Sequence, residues 1–182
     1  MPSFDRGRVE ALLRLAGERL DGDWLLVGGA AAAAWFAPGR TTEDLDLVGL
    51  AGTQAERFSL MELAAEAAIP IEAVNSAADF FVRRISDWRD QLIELHRGSR
   101  ATIFRPTATL FVLLKLARLT EVDLDDCAAL LAHCRATGES EAIDAPRVLA
   151  SLDALAPTPD AALAARRSAL RGMVQGARGP GA

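Results

Sequence analysis

The stretch Trp24–Leu50, WLLVGGAAAAAWFAPGRTTEDLDLVGL, decides the fold that we expect for this chain. The apolar run WLLV predicts a buried strand, Gly28 and Gly29 interrupt it, and the alanines that follow predict a closely packed helix. Asp44 and Asp46 fall in a second predicted strand, where residues two apart share one face. Two like charges on one face repel each other, and a divalent cation bound between them removes that cost. The stretch therefore predicts a strand, a glycine turn, a helix and a strand with an acidic pair.

The composition is typical of a soluble globular protein with its own core. Of 182 residues, 51% are hydrophobic and 25% are charged, and the formal net charge is -5. This negative charge argues against a global basic field for nucleic acid, although it leaves room for a local basic patch. The first residues mix arginine and glutamate as an amphipathic helix does, and no apolar run reaches the roughly 20 residues of a membrane span. We therefore expect a cytoplasmic protein with no membrane partner.

Around the quoted stretch, the hydrophobic pattern predicts alternating helices and strands. An amphipathic helix ends near Gly22, and a helix at 54–68 and a strand at 71–74 follow the acidic strand. Between Phe80 and Phe104 the short apolar pieces FFVRRI, QLIEL and ATIF predict meandering antiparallel strands. The arginines from Arg83 to Arg105 are available to an RNA substrate if they share a face.

The region that begins at Thr107 is predicted to be helical. The segments TATLFVLLKLARL and DLDDCAALLAHC predict two helices that pack together, with Asp123 as the cap of the second, and a further helix is predicted at 159–174. The expected class is thus α+β, with a mixed sheet flanked by helices and a C-terminal helical part. The expected boundaries are 1–106 for the α/β core, 107–175 for the helical part and 176–182 for a flexible tail.

Neither the cysteines nor the histidines form a recognisable site. Cys127 and Cys134 lie seven residues apart on a predicted helix, about 10 Å along its axis, which is too far for a disulfide. We interpret both as core thiols. His96 and His133 are too isolated for a metal triad.

The order strand, Gly-Gly, helix, acidic pair and then a strand with a lone acid resembles the nucleotidyltransferase superfamily of the DNA polymerase β type. The resemblance is greatest to small prokaryotic members similar to abortive-infection toxin nucleotidyltransferases, and it implies a nucleotidyltransferase-like mixed sheet. It implies that Gly28 and Gly29 lie under a nucleoside triphosphate and that Asp44, Asp46 and Glu72 are the catalytic ligands of two magnesium ions. The glycines suit close approach of phosphate to a helix N-terminus, and carboxylates suit magnesium.

The residues before the acidic pair strengthen this resemblance. Arg40-Thr41-Thr42-Glu43-Asp44-Leu45-Asp46 matches the family pattern R-x-T-x-D-x-D. The resemblance implies that Arg40 and Thr42 contact the nucleotide, and an arginine there stabilises phosphate charge. The absence of G-x-G-x-x-G spacing argues against the competing interpretation, a Rossmann-like dinucleotide site.

Lys115 is the only lysine among 20 basic residues and lies in an apolar predicted helix. Its charge must reach a cleft rim or pair with an acid, so we expect it to contact the triphosphate or an acidic cluster and to be replaceable by leucine without loss of stability. The family resemblance extends loosely to Arg118 and the segment Asp123–Asp126. The alternative is that Asp123 only caps its helix and that Asp126 is solvated.

The function implied by the resemblance is magnesium-dependent transfer of a nucleoside monophosphate from a triphosphate to an acceptor hydroxyl. A small molecule, a tRNA end or a protein side chain all remain open as acceptor, and an antitoxin-like protein is a further expected partner. The alternative is a catalytically inactive module of the same fold that binds a nucleotide or a protein. A Glu72 side chain that points away from the acidic pair favours this alternative.

Overall fold

The computed structural model of the chain has an α+β fold and describes residues 3–137 and 143–176. The chain divides into two compact units, Met1–Pro106 and Thr107–Ala182. The first unit contains a mixed sheet with helices, so the α+β class predicted from the sequence is confirmed. Among the described residues, no helix has both the length and the apolar character needed to cross a membrane.

Five strands form the sheet of the first unit. They are β1 (Gly22–Val27), β2 (Leu45–Gly49), β3 (Val74–Asn75), β4 (Leu92–Arg97) and β5 (Ala101–Pro106). Their order across the sheet is β3-β2-β1-β5-β4. The central strand β1 pairs antiparallel with β2 and parallel with β5, while β3 lies parallel to β2 at one edge. The other edge, β4, is antiparallel to β5.

Four α-helices accompany this sheet: α1 (Arg6–Arg19), α2 (Gly28–Trp35), α3 (Gln54–Glu66) and the short α4 (Asp79–Val82). The backbone N–H of Arg8 donates to the Asp5 side chain and so caps α1. Thr53 and Glu56 form a reciprocal capping box at the start of α3. The five alanines of α2 are all buried, which fits the close packing that their small side chains permit.

Two predicted strands in this unit differ from the structure. The piece FFVRRI is not a strand but contains the helix α4, in which Phe80 and Phe81 are exposed and only Val82 is buried. The piece IEAV contributes only Val74 to a strand, because the preceding three residues form a 3-10 turn that starts after Pro70, whose φ is -56°. The pieces QLIEL and ATIF lie in β4 and β5, as predicted.

The second unit is helical throughout its described elements, which are α5 (Ala108–Lys115), α6 (Glu121–Thr137), α7 (Ala145–Asp153) and α8 (Ala161–Gly176). The sequence patterns did not predict α7. Asp123 is not the N-cap residue of α6, since it lies inside the helix, but it forms a reciprocal capping box with Thr120, which precedes the helix. The Thr120 hydroxyl accepts from the Asp123 N–H at 3.2 Å, and the Asp123 carboxylate accepts from the Thr120 N–H at 3.0 Å. Apart from Gly176, the predicted tail lies outside the described residues.

Candidate functional site

The glycine turn joins β1 directly to α2, because Val27 ends the strand and Gly28 begins the helix. Gly28 has a φ of +67°, a left-handed conformation that other residues adopt only with strain. A Cβ atom at Gly28 would lie 2.7 Å from Oδ2 of Asp46. Both its backbone conformation and the space around it therefore require glycine at this position.

The second glycine of the turn faces the segment that precedes β2. A Cβ atom at Gly29 would lie 2.8 Å from Oγ1 of Thr42 and 3.2 Å from Nη2 of Arg40. The structure thus brings the residues of the Arg-Thr-Thr motif against the start of α2. Glycine at this position leaves room for these side chains close to the first backbone amides of the helix.

The register of the sheet positions Asp46, the second acid of the pair, beside the same helix end. Asp46 pairs with Val27 across β2 and β1, and it is half-buried, whereas its neighbours Leu45 and Leu47 are fully buried. Asp44 is exposed and lies just before β2 rather than inside it. Its backbone N–H is 3.4 Å from the Thr42 hydroxyl, so a local turn connects the threonine and the acid.

An N-terminal residue that the sequence analysis did not single out holds this turn in place. Phe4 forms an antiparallel bridge with Thr42, in which the Phe4 N–H donates to the Thr42 carbonyl at 2.8 Å and the Thr42 N–H donates to the Phe4 carbonyl at 3.1 Å. The Phe4 side chain is fully buried. Only the apolar character of Phe4 signalled a core position, since a bridge between residues so far apart in sequence leaves no local pattern.

The start of α2 has the properties of an anion site. The first backbone N–H groups of an α-helix have no partner within the helix, and Val27 at the cap position carries no polar side chain to bind them. These amides, together with the positive end of the helix dipole, favour a bound phosphate. The guanidinium of Arg40 adds positive charge at this point, and its Nη1 also donates to the Thr41 carbonyl.

The structure does not bring the third predicted acid to the pair. Glu72 is exposed in the 3-10 turn Ile71–Ala73, and the residue of β3 that pairs with Asp46 is Asn75. Within residues 3–137 and 143–176, no three His, Cys, Asp or Glu side chains are grouped so that they could hold a metal ion. Of the three predicted acids, Asp44 and Asp46 stay near each other at the start of β2, two residues apart in the chain. They fall short of the three carboxylates that the resemblance implies for two ions.

Lys115 lies in the second unit, within a buried ionic cluster. Its Nζ donates to Oδ1 of Asp123 at 2.7 Å and to Oδ2 of Asp126 at 2.9 Å. Asp123 also accepts from Nε of Arg118 at 3.1 Å. Of the two contacts predicted for Lys115, the structure contains the one with an acidic cluster, whereas the contact with a triphosphate stays a prediction. The alternative of a solvated Asp126 is wrong, because that side chain is only 3% exposed.

The surroundings of this cluster shift the acidity of its central carboxylate. Burial raises the pKa of Asp123, but hydrogen bonds from Arg118 and Lys115 and the Lys115 charge lower it by more, so that it lies well below its ordinary range. Burial also raises the pKa of the neighbouring Cys127 thiol to about 12. The Asp123 carboxylate is therefore ionised at neutral pH, and the neighbouring Cys127 thiol is protonated and unreactive.

The arginines predicted to offer a face to RNA do not form one exposed row. Arg105 is 7% exposed, and its guanidinium stacks 3.8 Å from the centre of the Trp35 ring. Arg83 pairs with Asp79 through Nε and Oδ1 at 2.6 Å. Arg83 and Arg105 therefore do not belong to one exposed basic face.

Comparisons of this chain with protein-family models, with curated proteins and with solved structures found no match. The candidate site is accordingly defined by its own geometry: a helix N-terminus reached by a glycine turn, with Arg40, Thr42 and Asp46 against it and the exposed Asp44 just before β2.

Proposed function

We propose that this chain is a magnesium-dependent nucleotidyltransferase that moves a nucleoside monophosphate from a triphosphate to an acceptor hydroxyl. The observation that carries the proposal is the convergence of the Gly-Gly turn with side chains from a separate segment. Asp46 lies against Gly28, and Thr42 and Arg40 lie against Gly29. Residues that match one sequence motif thus meet at a single helix end, where a triphosphate and its cation need to be bound together.

Each part of this arrangement has a distinct task in the proposed reaction. The first amides of α2 bind phosphate oxygens, and the glycines let the triphosphate approach the backbone. Arg40 stabilises the negative charge of the phosphates through charge-assisted hydrogen bonds. Asp44 and Asp46 hold magnesium, which when bound neutralises the leaving pyrophosphate and activates the attacking hydroxyl.

A second candidate function is a nucleotide-binding module of the same fold without catalytic activity. The observation that favours it is the position of Glu72 outside any three-acid group. A site with two carboxylates retains the means to bind a magnesium triphosphate, but it lacks a ligand for a second ion. The two candidates therefore predict the same binding and differ in group transfer.

Titration calorimetry with each nucleoside triphosphate, with and without magnesium, tests the proposed site. We expect binding that requires magnesium and is lost in Asp44→Asn and Asp46→Asn but kept in Asp23→Asn, which removes an exposed carboxylate from the adjacent strand β1. Triphosphates labelled at the α-phosphate then report transfer to candidate acceptors. Binding without transfer to any acceptor favours the inactive module, and no magnesium-dependent binding contradicts both candidates.

A further inference from the structure

Residues 58–81 of the first unit include a group of exposed large apolar side chains. Among the residues that the structure describes, six large hydrophobic side chains are exposed, and five of them lie within residues 58–81. These five are Phe58, Met61, Ile71, Phe80 and Phe81, which come from α3, the 3-10 turn and α4. Single exposed apolar residues are ordinary, whereas a group of them on one face marks an interaction surface.

Several of these side chains line an open groove of about 800 Å³ within the first unit. Its apolar walls come from four elements: α3 contributes Leu60 and Met61, the 3-10 turn contributes Ile71, β3 contributes Val74, and α4 contributes Phe80. We call this feature the α3–α4 groove. Aromatic residues and methionine are enriched at the centres of protein–protein interfaces, and this groove contains both.

The charged residues of the α3–α4 groove are predominantly basic. Arg57, Arg83 and Arg84 line it together with one acid, Asp79. Asp79 pairs with Arg83, whose Nη2 also donates to the Gly49 carbonyl at 3.0 Å. The groove therefore has an excess of positive charge in a chain whose net charge is -5.

That excess comes from Arg57 and Arg84. In the described part of the chain, neither forms an ion pair with a carboxylate, and both are exposed. The Arg84 guanidinium lies 4.9 Å from the centre of the Phe80 ring, so it is held over the apolar wall. A ligand that fills the groove thus meets apolar contacts at its centre and two cations without anionic partners at its rim.

We propose that the α3–α4 groove binds an acidic amphipathic segment of a partner protein. An amphipathic helix places its apolar residues, spaced three and four apart, into such a groove. Its acidic residues then pair with Arg57 and Arg84, which gives the complex its orientation. Aliphatic walls from Leu60, Met61 and Ile71 favour this ligand over single-stranded RNA, which is bound by rows of aromatic side chains and a longer basic track.

Selection from a displayed library of random 16-residue peptides tests this proposal without the identity of the natural partner. We expect the enriched peptides to be amphipathic and acidic. One of them, synthesised with a fluorescent label, is then measured by anisotropy against the full chain. Met61→Ser combined with Phe80→Ser, and Arg57→Glu combined with Arg84→Glu, are each expected to weaken its binding by about tenfold or more.

Two substitutions outside the groove provide matched controls. Val122→Ser changes the sixth exposed apolar residue, and Arg14→Glu reverses an exposed charge on α1; both are expected to leave peptide affinity unchanged. No enrichment, enrichment of neutral or basic peptides, or equal effects of groove and control variants would overturn the proposal. If a labelled 15-nucleotide uridine oligomer binds the wild-type chain but not the variant that combines Arg57→Glu and Arg84→Glu, the proposal is overturned in favour of RNA. If light scattering shows that the wild-type chain is a dimer and that the variant with Met61→Ser and Phe80→Ser is a monomer, the proposal is overturned in favour of a second copy of the chain in the groove.

Discussion

Replacing Lys115 with methionine is expected to lower the free energy of unfolding of the second unit by about 3–5 kcal/mol. The side chain is 9% exposed and forms ion pairs of 2.7 and 2.9 Å with Asp123 and Asp126, which are 1% and 3% exposed. Methionine keeps the length of the side chain but leaves buried negative charge without its main counterion. The structure therefore reverses the expectation from sequence that an apolar residue is tolerated here.

Urea unfolding is monitored by circular dichroism at 222 nm, which reports the helices of both units, so a change that tryptophan fluorescence does not show is assigned to the second unit. Tryptophan fluorescence follows the first unit separately, because Trp24, Trp35 and Trp88 all lie within it. The control is Arg118→Met, which removes a cation from the same cluster. The Arg118 side chain is 75% exposed, so its loss is expected to cost less than about 1 kcal/mol.

The low pKa of Asp123 gives a second readout of the same cluster. A carboxyl group whose pKa is lower in the folded than in the unfolded state stabilises the fold at pH values above its unfolded-state pKa, which is about 4 for aspartate. This stabilisation is lost as the pH falls below that value. The wild-type chain is therefore expected to lose stability more steeply below about pH 4 than Lys115→Met does. Equal stability of Lys115→Met and Arg118→Met, with parallel pH profiles, would refute the reasoning.

Three further predictions concern other parts of the chain. Asp46→Asn is expected to change the free energy of unfolding by less than about 1 kcal/mol, because asparagine keeps the size and polarity of this half-buried side chain, while calorimetry detects no magnesium-dependent triphosphate binding; a large loss of stability would instead indicate a structural ion pair. Gly28→Ala is expected to cost about 1–3 kcal/mol in thermal denaturation because of its positive φ, whereas Gly39→Ala, with open space around it, costs less. Buried Cys127, with a pKa of about 12, is expected to resist iodoacetamide at pH 8, while the partly exposed Cys134 is alkylated. Equal alkylation rates of the two cysteines, measured by mass spectrometry, would contradict this.

The parts of the fold that the sequence predicts well are those encoded locally. The turn at Gly28 is one, because adjacent glycines between an apolar strand and an alanine-rich helix permit few other structures. The α+β class is another, since strand and helix periodicities differ along the chain. The strand wrongly predicted around Phe80 shows the limit, because a short apolar piece has too few residues to reveal a period.

The parts of the candidate site that the sequence does not predict depend on contacts between distant residues. Phe4 bridges to Thr42 across the whole of α1 and β1, and nothing near either residue indicates the pairing. Glu72 was placed on a strand, but the backbone after Pro70 turns into a 3-10 helix and leaves Asn75 beside Asp46. The sequence therefore identifies which residues carry the chemistry more readily than it predicts which of them meet.

The direct junction of β1 and α2 limits how this site can be redesigned. No residue lies between Val27 and Gly28, so an insertion at that point would displace the helix end that the glycines serve. The segment 36–44 connects α2 to β2 and carries Arg40 and Thr42, and the bridge between Thr42 and Phe4 fixes one point of it. Loop grafting that keeps this bridge is thus the practical way to vary the proposed nucleotide site, with the helix end kept as a fixed platform.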